Sequence, residues 1–153
     1  MVRTAALALS LLASSAVLHA APVPTEKVGN WNLYVQTDAM TDKKVCIAEP
    51  AANPNVQFAK NSIAVTYTGR GGLQGFYYRI GEEPVSSIQI LELWRPSNSG
   101  ILVLSDQAFV TRALQAGRLR IRALTYLSSI LDDDIDLKDI PSVQEAMRRN
   151  GCP

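Results

Sequence analysis

From residue 31 onward, apolar and polar side chains mostly alternate, the period of two that sends successive side chains to opposite faces of an extended strand. Trp31, Leu33 and Val35 share one face of the first such segment, 31–36, and residues 45–48 read as a second short strand. Residues 49–61 contain Pro50, Pro54 and three asparagines, which predicts a loop. Ile63, Val65 and Tyr67 share a face of the next strand, and Gly69-Arg70-Gly71-Gly72 turns it into a strand over 73–80. Gly81 to Pro84 is another turn. The strongly apolar stretch 87–94 is expected to be a central strand, turned at Pro96–Gly100 into residues 101–104.

The period then changes. Phe109, Val110, Ala113 and Leu114 recur at helical spacing behind the N-cap oxygens of Ser105 and Asp106, and Gly117 supplies a stop. Alternation returns over 118–126, with Arg118, Arg120 and Arg122 on one face and Leu119, Ile121 and Ala123 on the other. Antiparallel pairing with the acidic segment 130–137 would set Arg122 opposite Asp134 and Arg120 opposite Asp136. The same register sets Ile121 opposite Ile135 and Leu119 opposite Leu137, whereas a slip of one residue would face charge with apolar side chains. In that register Arg118 is the arginine freest to meet a partner. A last helix is signed by Pro141 and by a capping box, Ser142 with Glu145, and Val143, Ala146 and Met147 form its inner face. The expected fold is mainly β, an antiparallel sandwich or barrel-like domain of about eight strands with two short helices.

The segment before these elements has a different character. Arg3 and the apolar run Ala5 to Leu18, ending at Leu18-His19-Ala20, resemble a secretory signal. The run is shorter than the roughly 20 apolar residues that span a bilayer, and nothing later resembles a span. The chain therefore divides into a signal peptide, 1–20, and one extracytoplasmic domain, 21–153, periplasmic or secreted.

Removing that signal changes the chemistry available. Of 153 residues, 133 remain, and loss of Arg3 takes Lys+Arg from 15 to 14, equal to the 14 acidic residues. A formally neutral domain has no general pull toward nucleic acid or an anionic membrane. His19, the one histidine, is lost as well. Ser-His-Asp and Cys-His catalysis and His-containing zinc or haem sites are thereby excluded. Two cysteines remain, Cys46 and Cys152, without a C-x-x-C neighbour, and an oxidising compartment favours a structural disulfide over a redox pair. With both thiols bonded, only oxygen ligands are left. No transition metal and no organic cofactor is expected.

Four constellations invite a functional reading. Gly69 to Gly75 suggests a phosphate loop, but Gln74 stands where the third glycine belongs and no helix follows, so a hairpin turn is favoured. Asp132, Asp134 and Asp136 match the first three EF-hand ligands, yet Leu137 and Val143 replace the obligatory glycine and the bidentate glutamate. A solvated acidic segment is favoured over a calcium site. Glu82-Glu83 could serve a glycosidase only if the two converge in a cleft. Tyr67, Phe76, Tyr77, Tyr78 and Trp94 cluster around the hairpin, with Phe76 and Trp94 expected in the core and the tyrosines on a surface suited to protein contact.

A signal peptide, a strand opened by Trp31, and Thr41-Asp-Lys-Lys-Val-Cys46 about fifteen residues on form the first part of a pattern. Phe109-Val-Thr-Arg-Ala-Leu-Gln-Ala-Gly-Arg118 leading into a strand, and Asp136-Leu137 before a short helix with Ala146, form the second. Together they resemble the invasion-associated locus B group of small exported bacterial proteins, across residues 31–152. The resemblance implies a β-rich extracytoplasmic domain, linked in some members to host-cell entry, with no catalytic residues to carry over. The expected function is binding of a protein partner in the envelope or the host, with Arg70, Tyr77, Tyr78 and Arg118 as the candidate partner surface. The alternatives are a histidine-free, carboxylate-dependent hydrolase and an inhibitor or immunity protein acting through the loop 69–72. N-terminal sequencing of exported material is expected to begin at Ala21. A start more than a few residues away would reject the cut.

Overall fold

The computed structural model describes residues 23–69, 71–91, 100–127 and 129–152; the expected signal segment, 1–20, lies outside them. Strands β1 (Glu26–Val28), β2 (Trp31–Thr37), β3 (Lys44–Pro50), β4 (Val56–Ala59), β5 (Ser62–Thr66) and β8 (Ile101–Leu104) lie side by side in that order as one antiparallel sheet. A second sheet has the order β10 (Ile130–Asp136), β9 (Arg118–Thr125), β6 (Leu73–Ile80) and β7 (Gln89–Ile90). The chain leaves the first sheet after β5, lays down β6 and β7, returns for β8, and then completes the second sheet. Helices α1 (Gln107–Ala116) and α2 (Ile140–Arg149) follow β8 and β10.

Alternation explains the packing. Trp31, Leu33, Ala48, Phe58, Ile63 and Val65 of the first sheet and Leu73, Ile80, Leu119 and Ile121 of the second join one core, none more than 2% exposed. Burial at this level contributes roughly 25 cal/mol for each Å² of apolar surface removed from water. α1 packs beside β5, β6 and β9, and α2 lies against β1 and β2. Asp106 caps α1 by accepting from Phe109 N at 2.8 Å, and Gly117 ends it at φ 69°, a left-handed conformation that a Cβ would strain.

The mainly β, antiparallel arrangement with two helices is as expected, with ten strands among the described residues where about eight were expected. Details within it need correction. The predicted loop 49–61 contains β4, whose Val56 and Phe58 are buried, with Lys60 at φ 56° turning the chain into β5. Proline and asparagine mask a pattern only four residues long. Of the apolar stretch 87–94, only Gln89–Ile90 is seen as strand, at a sheet edge and not at its centre; Trp94 lies outside the described residues. The capping box is absent, because α2 already begins at Ile140 and Glu145 pairs with Arg148. Asp139, at the N-cap, accepts instead from Asn30 N at 3.0 Å, a close approach that Gly29 permits by having no Cβ.

The largest correction is register. Arg122, Arg120 and Arg118 face Asp132, Asp134 and Asp136, two residues from the expected alignment. Thr125 N donates to Ser129 O at 3.1 Å, which centres the hairpin on Leu127, one residue earlier than expected. A shift of two keeps every side chain on its predicted face and changes only its partner.

Cys46 on β3 and Cys152 beyond α2 form a disulfide, with Cα atoms 6.1 Å apart and 106 residues of sequence separation. Lys44 Nζ donating to Asn150 O at 2.6 Å and Arg149 pairing with Glu26 at 2.8 Å hold the same end down. Closing so long a loop restricts the unfolded chain by about 4 to 5 kcal/mol on chain-entropy grounds. The Cys46→Ala/Cys152→Ala double variant is expected to lose about 2 to 5 kcal/mol in urea unfolding. A loss under about 1 kcal/mol would show that the staple contributes little.

Candidate functional site

The candidate site is the outer face of the four-stranded sheet. Even-numbered residues of β9 and β10 point there, so Arg118, Arg120, Arg122 and Leu124 lie beside Asp136, Asp134, Asp132 and Ile130. Across β9's other edge, Tyr77 faces Arg122 and Arg79 faces Arg120. With Val85, all of these but Arg118 and Asp136 line an open groove of about 750 Å³.

Its charges are arranged in pairs. Arg122 grips Asp132 through two hydrogen bonds, at 2.7 and 2.9 Å. Arg118 reaches diagonally to Asp134, with Nε 2.8 Å from Oδ1 and Nη2 on the other oxygen. Glu82, in the turn after β6, accepts from Arg79 and from Arg120, each at 3.0 Å. The guanidinium hydrogen bonds hold the carboxyls of Asp132 and Asp134 below the usual aspartate range. Exposed pairs of this kind contribute about 0.2 to 1 kcal/mol each, so their main effect is on register and on local field.

One aspartate points the other way. Asp133, opposite Ile121, lies on the inner face and accepts from Tyr67 Oη at 2.7 Å and Asn53 Nδ2 at 2.9 Å. It ties the second sheet to the loop before β4 and to the end of β5. Burial, followed by the hydrogen bond to Asp133, pushes the Tyr67 phenol far above its ordinary range. Sequence reading missed this group. The available signal was an acid at the inward position between Leu131 and Ile135.

The predicted site residues are not gathered as expected. Arg70 lies outside the described residues. Tyr77 is on the outer face, but Tyr78 lies on the inner one, edge-on to Phe109 at 4.9 Å between ring centres. No single tyrosine face exists, because neighbours on a strand diverge. Arg118 is not the freest arginine: the observed register brings Asp134 within its reach. Glu82 and Glu83 diverge, the second pairing with Arg112 of α1. Gly75 sits within β6 and not before a helix, while Gly69, Gly71 and Gly72 adopt the positive φ of a turn. Among the described residues, no group of three or more His, Cys, Asp or Glu could hold a metal ion.

Tyr67→Phe is expected to cost about 1 to 3 kcal/mol at neutral pH by leaving Asp133 one donor short. A phenol whose folded pKa is raised stabilises fully below its unfolded value of 10.0 and loses that contribution as pH rises beyond it. Thermal melts above pH 10 should therefore fall more steeply for the wild type than for Tyr67→Phe. Parallel curves would exclude the coupling.

No protein-family model, no curated protein and no solved structure matches this chain.

Proposed function

We propose that the chain is an exported protein-binding domain that engages an envelope or host protein through the outer face of its four-stranded sheet. The carrying observation is the open groove of about 750 Å³, in which Tyr77 and the aliphatic Val85, Leu124 and Ile130 surround fixed arginines. Tyrosine and arginine are the residue types that anchor protein interfaces, since both offer large contact area and directed hydrogen bonds. The groove's carboxylates favour recognition over hydrolysis. A general acid needs a raised pKa, whereas Asp132 and Asp134 are held low by their arginines, and Glu82, which bonds two of the groove's arginines without lining it, is engaged at both oxygens.

Export agrees with two further facts. A disulfide suits an oxidising compartment. No helix among the described residues is long and apolar enough to cross a membrane. The resemblance to the invasion-associated locus B group extends the proposal to a host component as partner.

Site-specific photo-crosslinking tests the surface. A benzophenone amino acid replacing Tyr77 is expected to yield a discrete protein adduct in intact cells or with host extract. The same group replacing Tyr34, on the outer face of β2, should yield none. Equal labelling from both positions, or no adduct from position 77, would overturn the assignment.

A further inference from the structure

The outer face sets four arginines, Arg79, Arg118, Arg120 and Arg122, against four carboxylates, Glu82, Asp132, Asp134 and Asp136, but they are not paired one to one. Arg122 has Asp132, and Arg118 has Asp134, each through two hydrogen bonds. Arg79 and Arg120 stand directly opposite one another on β6 and β9. Like charges in that position repel. Among the described residues, the one carboxylate within hydrogen-bond distance of either is Glu82, which gives one oxygen to each arginine at 3.0 Å. Asp134 lies 3.9 Å from Arg120, beyond hydrogen-bond reach.

Glu82 is a weakly held partner. Its side chain is 78% exposed, while those of Arg79 and Arg120 are 34% and 29% exposed. The two cations are thus partly sunk into the sheet, and the anion between them rests on top from a turn. Arg79 and Arg120 both line the groove of about 750 Å³, and Glu82 is not among its lining residues.

We infer that the Arg79–Arg120 pair is a receptor for a carboxylate of an extended acidic peptide segment of the partner, and that Glu82 is its built-in competitor. This rests on the groove being the binding surface proposed above. Arg79 and Arg120 share Glu82, so neither guanidinium is held bidentately by a carboxylate, and an incoming glutamate or aspartate could take an end-on fork that Glu82 leaves open. The groove is far larger than a free inorganic anion requires. Tyr77, Leu124 and the exposed Val85 and Ile130 offer apolar contacts on either side, which suits a peptide alternating acidic and aliphatic residues.

The test uses an acetylated, amidated hexapeptide alternating glutamate with leucine, and its glutamine counterpart, titrated calorimetrically into the mature protein. Glu82→Gln is expected to bind the acidic peptide about fivefold more tightly than wild type, the scale of one exposed ion pair. Glu83→Gln makes the same change in net charge but releases Arg112 of α1, and is expected to leave affinity unchanged. Arg120→Gln is expected to weaken binding about tenfold, and the glutamine peptide should bind none of the proteins. Melting curves establish that each variant is folded, with Arg79→Gln standing in for Arg120→Gln if the latter is not. Equal gains from Glu82→Gln and Glu83→Gln would reduce the effect to overall charge and overturn the proposal. So would equal binding of both peptides, or no binding of the acidic peptide to Glu82→Gln. A photo-crosslink from position 77 in the absence of peptide binding would retain the groove as a surface and reject the acidic chemistry.

Discussion

The alternation of strand β9 is the constraint on which the rest of this structure depends. β9 is paired along both edges, to β6 and to β10, so each of its side chains is committed to one face. Leu119, Ile121 and Ala123 are buried in the core, while Arg118, Arg120 and Arg122 stand outside. No one-residue displacement of β9 is compatible with that burial, because it would drive three guanidiniums among aliphatic side chains. Its neighbours inherit the arrangement. Tyr77 and Arg79 come to lie beside the arginines, the alternate aspartates of β10 come to lie across from them, and the groove follows.

The same constraint separates two uses of aspartate within four residues. Asp132 and Asp134 face water and guanidinium groups, where ionisation costs little and fixes a charge pattern. Asp133 faces inward, where an ionised carboxylate needs donors, and Tyr67 and Asn53 provide them from the opposite sheet. One strand therefore carries both part of the charged outer face and a polar tie between layers. A hydrophobic residue in place of Asp133 would pack against Ile121 but would leave the Tyr67 hydroxyl without its acceptor.

Much of this was legible in the chain, and the failures have common causes. Period-two segments with several repeats, such as 31–36 and 118–126, declared both strand and inward face, because burial of one face demands the pattern. The cysteine pair followed from composition and compartment. Short elements such as β1 and β4 were hidden, since three or four residues carry too few repeats to stand out from a proline- and asparagine-rich setting. Register between β9 and β10 could be narrowed to even shifts but no further. The faces are identical for shifts of two, and the choice was made by Thr125 and Ser129 at the turn. Arg118's partner and the inward Asp133 were invisible for that reason, as each depends on what lies across from a strand and not on the strand itself. Asp139 shows the remaining limit: its role as acceptor for Asn30 N joins positions 109 apart in sequence.

The disulfide has a topological consequence. Joining residue 46 to residue 152 turns most of the domain into a covalent ring, with strands β1 and β2, the loop after them and the start of β3 outside it. A single peptide-bond cleavage anywhere within that ring opens it without releasing a fragment. The two sheets would stay tethered, and refolding of the nicked molecule would remain a unimolecular search. Survival of one such cut is then decided by packing and not by chain continuity.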